Sequence, residues 1–460
     1  MATAAKSKNY LEAFNELEAR REAVEPVWLR QLRNEGWSLF SSNGFPSLRD
    51  EDWRFTNLKT LTQTSFHRAD GADGAVADVD AHFLAGAVCR LVFVNGRFTQ
   101  ALSDDDELPA GLEICSLNQV LRDKADGAEQ HLGHYVDLRR DAFAALNTAL
   151  WEDGAYIRVC RGAHIEQPVH LLFISAAEGE PTMTHPRTLI IAEPKSQVAI
   201  VEDYVSSGAG TAFSNSVTEI AASNDAVVSH YLVERENYDS FNVSTLHIYQ
   251  ARGAHVSSHS LLLGGGLVRN NVHPVLNGPG ADCLINGLFI GAGRQHLDNY
   301  MMVEHASPNG SSRQFYNGIL DQQAHGVFHG RIVVRKDAQK TDAKQTNRNL
   351  LLSDDARVDT KPQLEIRADD VKCTHGATIG RIEDEPLFYL RSRGLDETSA
   401  RNLLLYAFAA ECVDRMKEQF ARNFVEKLIQ RRLREMAASA QPPPISPQEK
   451  ETSTSPEEAA

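Results

Sequence analysis

The rhythm of hydrophobic positions changes twice along the chain. Up to about residue 85, Leu11, Phe14, Leu17, Val24, Trp28, Leu29 and Leu32 recur three and four apart, the spacing of helices with one apolar face. The stretch SNGFPSLRDEDWRFTNL then predicts a loop with aromatic anchors, and its Gly44 and Pro46 end the helix before it. From about 88 to 378 the text turns to short β-branched or alternating runs: RLVFVNGRF, HLLFIS, TLIIAE, QVAIVEDYVS, AVVSHYLVE, STLHIYQ, CLINGLFI and GRIVVRKD. Gly, Asn, Asp and Ala separate these runs, not helices. From 384 onward helical spacing returns. EDEPLFYLRSRG predicts a short helix stopped by Gly394, and Asp396 is placed to cap the next one. Leu405, Phe408, Cys412, Met416, Phe420, Phe424 and Leu428 then form one stripe. The end, QPPPISPQEKETSTSPEEAA, has the composition of a disordered tail.

The middle zone contains near-copies of one unit. RGAHIEQPVHLLF and RGAHVSSHSLLL share a turn-and-strand pattern, and PGADCLINGLF resembles it. A sandwich or barrel of nearly three hundred residues is unusual. A β-solenoid grows lengthwise without limit, because each rung buries its apolar face on the next. The expected organisation is mainly β. A helical domain spans 1–87, a β-helix core 88–380, a C-terminal helical domain 381–438 and a disordered tail 439–460.

Composition narrows the function classes. The chain has 460 residues and a formal net charge of -15, a balance that does not favour nucleic acid or an anionic membrane. No apolar run approaches the ~20 residues of a membrane span. The first residues lack the apolar core of a signal peptide, which points to the cytoplasm. There is no GxxxxGK[ST], GxGxxG, HExxH or GxSxG stretch, so the common nucleotide, zinc-protease and serine-hydrolase classes lose support. The six cysteines form no CxxC, which disfavours a zinc ribbon or a ferredoxin-type cluster held by this chain alone.

Some residues carry candidate chemistry. His255 and His259 are four apart, as are His325 and His329. On a strand that spacing spans ~13 Å, too far for a shared ion, so they read as exposed or rung-facing histidines. Glu202, Asp203, Asp282, Asp298, Glu304 and Asp321 read as scattered surface charge. Cys373 and His375, in KCTHGATIG, lie two apart and share one face of a strand. They fit two soft metal ligands, a Cys/His nucleophile pair, or a piece of core.

DTKPQLEIRADDVKCTHGATIG (Asp359 to Gly380), followed by EPLFYLRSRGLDETSARNLLLYAFAAE (Glu385 to Glu411), closely resembles the SufB/SufD family of the SUF iron–sulfur cluster assembly system. EDWRFTNL (Glu51 to Leu58) looks like the Trp-Lys/Arg-Tyr/Phe-Thr signature of the SufD branch. The resemblance implies a right-handed parallel β-helix core flanked by N-terminal and C-terminal α-helical domains. It implies a non-catalytic scaffold that pairs with SufB through the β-helix and receives the SufC ATPase on its C-terminal helices. There, Phe388, Tyr389, Leu390, Arg391, Arg393, Leu405 and Phe408 are the expected contacts. It gives His375, and after it Cys373, as ligands for iron or a nascent iron–sulfur cluster shared with SufB. FAD on the assembled complex and a homodimer in the absence of SufB stay open, as do a SufB-like scaffold, a β-helix carbohydrate-active enzyme and a stand-alone metal-binding protein.

Overall fold

The computed structural model describes residues 2–21, 25–69, 76, 79–123 and 127–439, and of these the side chains from residue 9 to residue 438 except that of residue 123. Val24 lies outside these residues. So does the expected disordered tail, apart from Ser439, which ends the helix Gln419–Ser439.

The strands of the middle zone wind into a parallel β-solenoid of about eight turns. One sheet orders Arg357–Ile366, His325–Val334, His296–His305, Leu267–Leu276, Phe241–Gln250, Ala212–Ala222 and Arg187–Ala192 side by side. The other orders Lys372–Gly380, Asp342–Leu351, Ser311–Leu320, Asp282–Gly291, His255–Leu262, Val227–Arg235 and Gln197–Ser206. Each turn gives one strand to each sheet.

The repeated sequence units are stacked corners. Lys195, Asp225, Gly253, Gly280, Asn309 and Lys340 all have φ between 59° and 72°. Each donates its backbone N–H to a carbonyl of the following turn, on Asn224, Arg252, Pro279, Pro308, Gln339 and Asp370 respectively. A left-handed residue costs roughly 1–2 kcal/mol unless it is Gly, or Asn or Asp with a local hydrogen bond. That is why RGAH and PGAD carry Gly at this place. Ala254 and Ala281 follow it, fully buried where the corners stack.

The alternation of strand side chains divides the core. Inward residues such as Val198, Ile200, Val256, Ile285, Phe289, Ile248, Val268, Leu297 and Phe328 fill the lumen. Each fully buried side chain of this size contributes roughly 1.5–3 kcal/mol. The outward face of the second sheet, with Val201, Tyr231, Leu261, Leu288 and Ile319, is covered by the C-terminal helices Glu397–Val413 and Gln419–Ser439. The outward face of the first sheet is covered by the N-terminal helices and by Ala142–Leu150. That helix falls within the zone that the sequence reads as strands. Its text, AFAALNTAL, is buried on every side except at Ala142, so it shows no amphipathic period.

Local punctuation behaves as expected. Gly44 ends the helix Val27–Asn43 at φ 67°, donating its N–H to Phe40. Gly394 lies just beyond Asp384–Ser392 with φ 96°, and the Asp396 carboxylate accepts from Ser399 N–H at the start of Glu397–Val413. Leu11 departs from the helical stripe and is exposed, while Tyr10, Phe14 and Leu17 are buried.

The reading of six carboxylates as surface charge fails for three of them. Glu202, Asp203 and Asp298 are fully buried. Asp203 receives a two-pronged bond from Arg235, at 2.9 and 2.6 Å, and Glu202 accepts from Thr218 and Tyr204. Asp298 accepts from Arg269 and from the hydroxyl of Thr56, inside the N-terminal signature EDWRFTNL. Trp53 of the same segment lies under the Arg269 guanidinium, 3.7 Å from its ring centre, and Lys361 pairs with Glu51. The signature therefore straps the N-terminal segment onto the first sheet. The histidine pairs do not share partners. His259 stacks on Tyr231 and bonds Asn286, while His255 faces Asp282 at the surface. His325 bonds Asp359, and His329 bonds Gln363.

Candidate functional site

Among the described residues, Lys372–Gly380 is the last strand of its sheet and pairs on one side only, with Asp342–Leu351. Arg357–Ile366 ends the other sheet in the same way, against His325–Val334. Two parallel strands thus leave their outer backbone edges unpaired at one end of the solenoid, the kind of edge that invites another chain. The last strand is exposed along its length except at Cys373, and Ile379 and Ile366 are exposed there, at 51% and 42%.

Cys373 and His375 lie on this strand. Cys373 is in register with Ala343 and His375 with Gln345, and Ala343 and Gln345 both point into the lumen. Both side chains therefore crown the interior column. Cys373 is half-buried beside Ala343, Val334, Ile332 and Ala368. Burial pushes its thiol above the usual range; the Ala343 backbone pulls it down and the Asp342 charge raises it. In the isolated chain it is a protonated thiol, and a bound metal ion would deprotonate it. His375 is exposed and carries no side-chain hydrogen bond among the described residues.

The rung beneath is polar. Gln345 donates its amide to Gln314 Oε1 at 2.9 Å, and both are buried. Gly330, across the lumen, leaves room for this pair: a Cβ there would fall 1.5 Å from the Gln345 amide nitrogen and push that side chain aside. Asn347 and Asn349 bond each other at 2.6 Å beside them. Sequence reasoning missed this layer. Its signal was DAKQTNRNLL, a strand whose inward positions are polar.

The residues expected to receive a partner divide in two. Phe388 and Tyr389 are 74% and 58% exposed on Asp384–Ser392, with Arg391 and Arg393 exposed and Leu390 half-buried. Arg393 lies over the Tyr389 ring at 5.6 Å. Leu405 is buried against the second sheet, which corrects its reading as a contact: it holds the helix to the solenoid. Phe408 is half-buried, under the Arg348 guanidinium.

The fold is thus a parallel solenoid strapped by terminal helices, with a thiol and an imidazole at its open end. The description "SUF system FeS cluster assembly, SufBD core domain" matches residues 173–408, and "SufBD protein N-terminal region" matches residues 4–171. The chain belongs to the SufBD family of SUF iron–sulfur cluster assembly. It is 35% identical to an iron–sulfur cluster assembly SufBD family protein of Synechocystis over 419 residues, covering 88% of this chain and 92% of that protein. It is 34% identical to the iron–sulfur cluster assembly protein SufD of Escherichia coli over 392 residues, covering 85% and 90%. To SufD of Bacillus subtilis it is 26% identical over 451 residues, covering 93% and 98%.

Proposed function

We propose that this chain is a non-catalytic SufD-type subunit that completes a metal site with SufB and receives the SufC ATPase. The observation that carries the reading is the placement of Cys373 and His375 on one face of the terminal, half-paired strand. One chain offers one or two ligands there, and the partner strand supplies the rest. Iron or a nascent cluster is cargo, so a shared site that opens when the subunits shift suits release. The exposed Phe388, Tyr389, Arg391 and Arg393 support docking of SufC on the C-terminal helices.

ATP-driven closure of two SufC subunits would pull on the C-terminal helices of both scaffold chains. Such coupling requires that SufC contact the helices differently in its two states. The covering of Val201, Leu261 and Leu288 by those helices gives the pull a route into the second sheet, which ends at Lys372–Gly380. Among the described residues no helix is long and apolar enough to cross a membrane, and the reading assigns the chain to the cytoplasm.

Co-expression with a SufB-type chain and a SufC-type ATPase tests the reading. A co-purified ternary complex that turns brown on iron and sulfide supply is expected. A chain that elutes alone, with both partners folded and present, overturns it.

A further inference from the structure

A second group of metal-binding side chains lies far from the open end, on the outward face of the first sheet. Asp141, His247 and His273 each bring one ligand atom to within 4.8 Å of the other two. They come from three separate elements. Asp141 caps the helix Ala142–Leu150, its Oδ1 accepting from Phe143 and Ala144 N–H and its Oδ2 from the Thr245 hydroxyl. His247 and His273 are register partners on adjacent strands, with stacked rings 4.8 Å apart.

The imidazoles lack the partners that buried nitrogens ordinarily have. Among the described residues, His247 Nε2 and His273 Nδ1 are enclosed and make no hydrogen bond, and the His247 side chain is more than nine-tenths buried. An orphaned buried polar atom costs about 1–3 kcal/mol unless something binds it. Burial also holds both rings neutral, His273 down to about 4, so their lone pairs are available near neutral pH. The neighbouring cations are already countered, Arg187 by Glu219 and Arg269 by Asp298.

We propose that Asp141, His247 and His273 form a structural site for a divalent transition-metal ion of the zinc type, which clasps the helix Ala142–Leu150 to the first sheet. Two imidazoles and one carboxylate suit zinc or iron(II), whereas magnesium and calcium prefer oxygen donors alone. A metal about 2 Å from each donor requires the three atoms to draw somewhat closer, which side-chain torsions provide. Asp141 and His273 are only half-buried, which leaves one side for a water ligand.

The test uses the full chain, stripped with chelator and titrated with cobalt(II) and then zinc(II). The expected result is one equivalent bound, with visible cobalt absorption of low symmetry, equally in the wild type and in a Cys373→Ser/His375→Ala variant. Zinc should raise the melting temperature of both. Asp141→Asn retains the helix cap and should weaken zinc at least about tenfold; a His247→Gln/His273→Gln variant should lose the cobalt spectrum. Unchanged binding in these folded variants overturns the proposal. So does binding abolished by the Cys373/His375 variant, or no binding by the wild type.

Discussion

His375 lies directly over Gln345 in the register of the last two strands, and Gln345 donates its amide to Gln314 one turn further in. The exposed imidazole thus stands on buried, hydrogen-bonded amides that hold its column in place. Its own ring is exposed and makes no side-chain hydrogen bond among the described residues.

The open end should bind through its apolar rim. Ile379 shares the face of Cys373 and His375 and is half exposed. Ile379→Asp gives up only the packing of a half-exposed side chain at the rim, so the melting temperature of the isolated chain should change little. Association with a SufB-type chain should weaken by tenfold or more, about 1.4 kcal/mol, because a charge would have to be desolvated at the junction. Analytical ultracentrifugation of the mixed chains reads this directly.

The C-terminal helices should separate docking from packing. Phe388→Ala with Tyr389→Ala leaves stability intact and abolishes co-purification of the ATPase. Leu405→Ala creates a cavity at the sheet and destabilises by about 2–5 kcal/mol. If the exposed pair lowers the urea midpoint as Leu405→Ala does, those aromatic rings belong to the fold.

Thr56→Ala should cost about 1–3 kcal/mol, because it strips a donor from the fully buried Asp298. Thr56→Ser keeps the hydroxyl and should recover most of that loss. Equal urea midpoints for Thr56→Ala and the wild type would contradict the strap.

Acid should loosen the solenoid before its exposed carboxylates titrate. Burial first of all lowers His185 and His259 to about 3, and His273, His296 and His305 to about 4. The unfolded chain takes up these protons near the ordinary histidine value and the folded chain does not. Stability is therefore full above about 6.5 and falls as pH drops towards about 4. Asp153, Glu234 and Glu236, raised by burial, act in the opposite sense, but nine imidazoles lowered by burial face these three carboxyls. Urea midpoints at about pH 7.5 and pH 5 should differ, with the lower value at acid pH.

Much of this was readable in the sequence, and the failures have physical causes. Period-two runs and recurring Gly-Ala corners specify rungs, and Gly394 and Asp396 punctuate helices by backbone chemistry alone. The rule that carboxylates face water failed for Glu202, Asp203 and Asp298, because helices or loops cover the outer faces of these strands and the lumen fills their inner ones. Ala142–Leu150 went unseen because a helix buried all round has no polar face. The shared face of Cys373 and His375 follows from strand alternation. That their strand closes the β zone follows from the change of rhythm after residue 380; that one of its edges is left unpaired among the described residues comes from the tertiary winding.

The decisive measurement is cluster formation on the reconstituted complex of this chain with SufB-type and SufC-type partners, followed by visible absorbance and bound iron, for His375→Ala against wild type. The complex should assemble with both chains. The variant should retain less than about a tenth of the wild-type cluster, the loss expected when a ligand is removed. A His375→Ala complex that builds the same amount of cluster at the same rate would contradict the role given to the open end of the solenoid.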